Sequence, residues 1–230
     1  MTFTSDVSSK NIHLTKTATL PTPTTISSPS PSDAKIISIK DTRPLIISGP
    51  SGVGKGTLCN LLLSRHPRLF ATTVSHTTRA PRPGETPGRE YHFVNHNDFQ
   101  SLIDSGAFVE HAQFGGNHYG TSKDTIQAIL KQGRVPVLDI EMEGVKQIKA
   151  SHLAARYLFI APPSMEILEN RLRTRGTEKE ESIQKRLAQA QHEMAYAATD
   201  GAHDAIIVND DLERAYACLE SFVFRNQSAN

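Results

Sequence analysis

The stretch ISGPSGVGKGTL, residues 47–58, constrains this chain more than any other. Gly49, Gly54 and Lys55 fit the phosphate-binding pattern Gly-x-x-x-x-Gly-Lys-Ser/Thr, and only Gly56 departs from it, standing where a hydroxyl is expected. The apolar run PLIIS precedes this stretch and the helical run TLCNLLLSR follows it. A Gly-rich turn between a strand and a helix aims backbone N–H groups and a helix N-terminus at one point, the arrangement that binds phosphate. A turn of this kind with no ligand is the bland alternative, and the strand before it and helix after it argue against that reading.

A loop of this kind sits on a parallel sheet, and the remaining sequence supplies one. VPVLDI (135–140), RYLFI (156–160) and AIIVN (205–209) join PLIIS as short, β-branched apolar runs separated by helical patterns, which predicts an α/β fold. Asn97 and Gly106 bracket one helix, Ser122 and Gly133 a second, and Thr177 with Glu180 forms a capping box opening a helix through about Tyr196. Residues 71–121 differ in texture. Shorter strand candidates, YHFV and FVEHAQF, lie there among Gly, Pro and His and read as an inserted β-rich lobe.

The first 42 residues read as a disordered extension, because a Ser/Thr/Pro-rich segment without periodicity buries too little apolar surface to offset its ordering entropy. It has no Arg through Lys40 and holds Asp6 and Asp33, which disfavours an organellar transit peptide and leaves the cytoplasm as the expected location. With 25 basic and 24 acidic residues the chain has no bulk charge for nucleic acid or a membrane surface. No apolar run approaches the ~18–20 residues of a membrane span. Cys59 and Cys218 both lie in apolar helical patterns and read as inert buried thiols.

Three further constellations carry chemistry. In SHTTRAPRPGETPGREY, residues 75–91, Arg79 and Arg82 flank prolines on a stiff loop, and two guanidinium forks so spaced suit a phosphate monoester. Tyr91 can add a hydroxyl donor to the same anion or pack in the lobe. Asp139 ends the strand VPVLDI, where open α/β sheets gather ligands, unless it merely caps the next helix. In RLRTRGTEKEESIQKR, Arg171 and Arg175 share a helix face, Gly176 breaks the chain, and Arg186 follows on the next helix. Polar all round and glycine-hinged, this segment makes a poor core element and a good lid. His76, His111 and His118 read as packing residues rather than a metal cage.

Taken in order, SGPSGVGKGTL, SHTTRAPRPGE with GREYHFV, FVEHAQFGGNHYGTS, VLDIEMEGVKQIK, RLRTRGTEKEESIQKRL and IIVNDDL resemble the guanylate kinase family from about Arg43 to Phe224. The resemblance implies a phosphate-loop kinase core, residues 43–230, with a GMP-binding lobe near 75–121 and a helical lid near 163–186. It implies transfer of the γ-phosphoryl group of ATP to GMP, and to dGMP, as a step of purine nucleotide metabolism. ATP would lie on Gly49, Ser51, Gly52, Val53, Gly54, Lys55, Gly56 and Thr57, with Arg171, Arg175, Asn209 and Asp210 around it. The GMP phosphate falls to Arg79, Arg82, Tyr91 and Tyr119, and the guanine to Ser75, Glu110 and Thr121. Asp139 serves either the guanine or the metal. Lys55, Arg82, Arg175 and Arg186 are the expected catalytic cations.

Mg²⁺ accompanies ATP in this family, and the Gly56 departure suggests that ATP oxygens and water hold it, with Thr57 or Asp139 as the nearest protein groups. Adenylate kinases resemble the same GKGT variant, so the loop remains competent. The rival reading is a non-catalytic guanylate-kinase-like module that binds phosphorylated peptides. Such modules typically lack an intact phosphate loop, whereas Lys55 and the lid arginines are present. The expected partners are ATP and GMP alone, and the expected state is a monomer.

Overall fold

Alternate residues of the first strand face opposite layers, and this period of two builds the core. A computed structural model describes residues 39–174 and 179–225. In chain order the elements are β1 (Leu45–Ser48), α1 (Lys55–Arg65), β2 (Phe70–Thr72), β3 (His76–Thr77), β4 (His92–Phe93), α2 (His96–Asp104), β5 (Phe108–Phe114), β6 (Asn117–Ser122), α3 (Lys123–Lys131) and β7 (Val135–Asp139). There follow α4 (Met142–Ala150), β8 (Arg156–Ala161), α5 (Met165–Thr174), α6 (Glu180–Ala197), β9 (Ala205–Val208) and α7 (Leu212–Phe224). Five strands form a parallel sheet in the order β2-β7-β1-β8-β9. Leu45 and Ile47 pack on one face with Leu62, Leu168 and Leu219, while Ile46 packs on the other with Val145 and Ile148. All three β1 residues are fully buried, each worth about 1.5–3 kcal/mol by burial.

The second sheet, β4-β3-β6-β5, is the β-rich insertion between α1 and β7. Its β5–β6 pairing is antiparallel and slips register between Phe108 and Glu110, a bulge that re-aims the side chains beyond it. Val109 is thereby left packing on the core face with Ile46.

Several local expectations change. The α2 cap is Asn95, whose side chain accepts from the Asp98 N–H at 2.8 Å, so the helix starts before Asn97. The Ser122 cap of α3 stands, accepting from the Thr125 N–H at 3.2 Å. Thr177 lies outside the described residues. The cap position of α6 is Lys179, with no side-chain cap hydrogen bond, and the Glu180 carboxylate accepts from Arg173. The lid helices are not polar all round: Leu168 and Leu172 of α5 and Ile183 and Ala190 of α6 join the main core, because a narrow apolar stripe anchors each helix. Cys59 is buried, but Cys218 is exposed, on the outer side of α7. The chain also packs earlier than residue 42. Ile39 rests on the core, and Asp41 pairs with Arg43 at 2.7 Å and approaches the buried Arg156 at 3.8 Å.

Candidate active site

The Gly49–Thr57 loop follows β1 and curls over the start of α1. Its shape is enforced by neighbours. Gly54, the N-cap of α1, has φ +100°, and a Cβ there would lie 2.5 Å from the Asn209 Nδ2. That amide donates to the Val53 carbonyl at 2.7 Å, and Arg171 donates to the Asn209 carbonyl at 2.9 Å. Asn209, 7% exposed, thus braces the loop from the residue just after β9, and Arg171 locks the brace from α5. Gly56 is different: it has no positive φ and open space around it, so nothing local demands glycine there.

Lys55 donates to the Gly49 carbonyl at 2.6 Å and the Pro50 carbonyl at 3.2 Å, with the Asp139 carboxylate 4.0 Å away. Arg186 donates to the Ser51 hydroxyl, which brings the lid helix against the loop. Between them lies a cleft of about 620 Å³, lined by Gly49, Ser51, Lys55, Asp139, Arg186 and, at its rim, the exposed Phe114. Asp139 keeps 41% of its side chain accessible from this cleft. The cleft walls still push its carboxyl above the usual range, with Lys55 opposing.

The inserted lobe supplies two further groups. Arg79 lies 5.4 Å from the centre of the Tyr91 ring, and the Tyr91 and Tyr119 rings are 5.9 Å apart. Glu85 pairs with Arg79 at 2.9 Å and accepts from the Arg82 N–H at 2.7 Å, holding the stiff loop in shape. The Arg82 residue itself is exposed. Beside this group, Ser75 and Thr121 share a hydroxyl–hydroxyl contact of 3.1 Å, and Glu110 pairs with Thr121 across the bulged strands. Glu110 is only 8% exposed. Burial pushes its carboxyl above the usual range, with hydrogen bonding from Thr121 acting the other way.

The expected residues therefore fall into a loop group and a lobe group, with exceptions. Arg175 lies outside the described residues. Asp210 is exposed and pairs with Arg214 at 2.8 Å. Thr57 is exposed on the first turn of α1. His76, His111 and His118 pack against aromatic rings, and no cluster of metal-ligating residues occurs among the described residues.

Three features in and around the site were not read from the sequence. Glu85 was hidden among turn residues, although its place six positions after Arg79 is the signal that could have shown it. Glu193, which lines the cleft, lies on the charged helix after Arg186. The buried Ser48 hydroxyl, just before the loop, meets His203 Nε2 at 2.8 Å.

Comparison with known proteins agrees with this geometry. The guanylate kinase family model matches residues 41–226. The human guanylate kinase is 50% identical over 178 residues, covering 77% of this chain and 90% of that protein. The Schizosaccharomyces pombe guanylate kinase is 49% identical, covering 82% and 93%. The crystal structure of guanylate kinase from Anaplasma phagocytophilum superposes with a TM-score of 0.61 at 30% identity, covering 84% of this chain and 90% of that one. A phosphate loop braced by Asn209 and Arg171, a β-rich insertion and matches along nearly the whole described length lead to one conclusion: this chain belongs to the guanylate kinase family.

Proposed function

We infer that this protein transfers the γ-phosphoryl group of ATP to GMP, giving ADP and GDP. The observation that carries the reading is the pairing of a phosphate loop with a buried carboxylate, Glu110, beside the Ser75–Thr121 hydroxyls. An ionised carboxylate accepts from both N1–H and the 2-amino group of guanine. Adenine has no N1–H, which leaves the buried acid unpaired and costs about 1–3 kcal/mol.

ATP lies along Gly49–Thr57, its phosphates drawing Lys55 away from the Gly49 and Pro50 carbonyls. Arg79, Arg82, Tyr91 and Tyr119 hold the GMP phosphate. One of its oxygens attacks the γ-phosphorus in line; the new O–P bond forms as the bond to the β,γ-bridging oxygen breaks, and ADP leaves with that electron pair. The acceptor phosphate is already a nucleophile, so the protein supplies alignment and positive charge rather than a covalent intermediate. Lys55, Arg82, Arg186 and Arg175 provide that charge, and Arg171 keeps the loop in shape. Closure of the cleft over both nucleotides excludes water that would otherwise take the phosphoryl group.

The residues fit Mg²⁺ only as a companion of ATP. Asp139 offers one carboxylate already near Lys55, and the described residues hold no fuller ligand set. Bound there, the ion would neutralise phosphate charge, and Asp139 or Thr57 would be the nearest protein groups to it.

In this reading the protein works as a monomer in the cytoplasm, accepts dGMP, and carries an N-terminal extension before a kinase domain that already packs at Ile39. No described helix is long and apolar enough to cross a membrane. Release of ADP with GMP, AMP, CMP and UMP as acceptors tests the assignment. GMP is expected to be turned over fastest; no turnover with GMP, or faster turnover with AMP, overturns it.

A further inference from the structure

The cleft contains a carboxylate for which the transfer reaction described above has no use. Glu193 lies seven residues beyond Arg186 on α6, nearly two helical turns, and so on the same face. It is 3% exposed and lines the cleft with Lys55 and Asp139. One of its oxygens takes a single long bond from Gln189 Nε2 at 3.3 Å, and the other, Oε2, has no hydrogen-bond partner. A buried carboxylate oxygen without a donor is costly, and one placed in a substrate cleft is positioned to receive its donor from substrate.

The chemistry of the ligands narrows that donor. Phosphates offer only acceptors and negative charge. The donors brought by a nucleotide are its base N–H groups and its ribose hydroxyls. Glu110 takes the guanine edge in the reading above. The Glu110 carboxylate reaches Gly144 on α4, and the residues that lead into that helix, Ile140 and Glu141, line the cleft together with Glu193. With the base on Glu110 and the acceptor phosphate carried by Arg79, Arg82, Tyr91 and Tyr119 up to the γ-phosphate at Lys55, the group left to meet Glu193 is the sugar.

We propose that Glu193 accepts a hydrogen bond from the 2′-hydroxyl of the acceptor nucleotide, so that the site prefers the ribonucleotide over its 2′-deoxy form. This deepens the GMP assignment and rests on it. A hydrogen bond to a charged acceptor corresponds to a preference of about 10-fold or more.

The test is kcat/KM for GMP and dGMP in the intact protein, in Glu193→Ala and in Glu193→Gln. Wild type is expected to favour GMP about 10-fold or more, chiefly through KM. The ratio falls to near one in Glu193→Ala and is largely restored in Glu193→Gln, whose amide oxygen still accepts. Equal use of GMP and dGMP by wild type, or the same preference in wild type and Glu193→Ala, overturns the assignment. Should Glu193→Ala fail to fold, Glu193→Leu, which fills the same space without an acceptor, decides: loss of the preference is expected, and a preference equal to wild type overturns the assignment. A wild-type protein that phosphorylates neither nucleotide overturns the GMP reading itself, whereas turnover of both at equal efficiency overturns only the role of Glu193.

Discussion

Replacing Gly54 by Ala tests how the phosphate loop is held. The residue has φ +100°, where an L side chain costs about 1–3 kcal/mol. The new methyl would also sit 2.5 Å from Asn209 Nδ2, forcing that amide off the Val53 carbonyl it bonds at 2.7 Å. Losing that hydrogen bond costs about 0.5–1.5 kcal/mol more. A loss of about 1.5–4.5 kcal/mol follows, which a domain with about 5–15 kcal/mol of stability survives folded. With a urea slope of about 1–3 kcal/mol/M, the midpoint drops by about 0.5 M or more at unchanged slope, and KM for ATP rises because the loop loses its brace. Gly56→Ala is the internal control: it has open space and ordinary backbone, so it should leave the midpoint within about 0.5 kcal/mol of wild type. A Gly54→Ala protein as stable as wild type, or a Gly56→Ala protein equally damaged, would refute the reasoning.

Three other outcomes follow from the site. Lys55→Ala is expected to lower kcat by about 10²- to 10³-fold while GMP binding is kept, which steady-state kinetics and a GMP titration check together. Glu110→Ala should reduce the preference for GMP over AMP by about 10-fold or more, read as the ratio of kcat/KM for the two. Burial, aided by the Lys149 charge, pushes His203 down to about 4 in the folded protein, against about 6.5 unfolded. The unfolded chain therefore binds more protons between those values, and stability falls as pH drops from 6.5 toward 4. Urea midpoints at pH 7 and pH 5 check this, and His203→Gln should flatten the difference.

The parts of the molecule that could be read in sequence are those fixed by local pattern. Four parallel strands stand out as short, mostly apolar runs, fully buried in Leu45–Ile47 and half exposed only at the edge strand β9, where Ile206 and Val208 face outward. β2 escapes notice because Phe70–Thr72 is only three residues long and is defined by pairing with β7. Ser122 caps α3 as its spacing suggests, but Asn95 and Asn97 are equally good caps in one dimension, and only the hydrogen bond to Asp98 separates them.

The site divides in the same way. The loop and the Arg79–Tyr91 segment are contiguous motifs, so their residues are visible in order. Contacts across long separations are not. The Asn209 brace on Val53, the His203 bond to Ser48 and the burial of Glu193 link residues far apart in the chain, and nothing in a charged helix marks Glu193 as buried. Cys218 misleads for a related reason: an apolar pattern around it does not say which side of α7 it occupies.

Following the label from γ-³²P-ATP tests the central claim most directly. With GMP present, the account predicts that the label passes quantitatively into GDP and that denatured protein carries none. Label retained covalently on the protein, or released as free phosphate instead of GDP, would contradict direct transfer in this cleft.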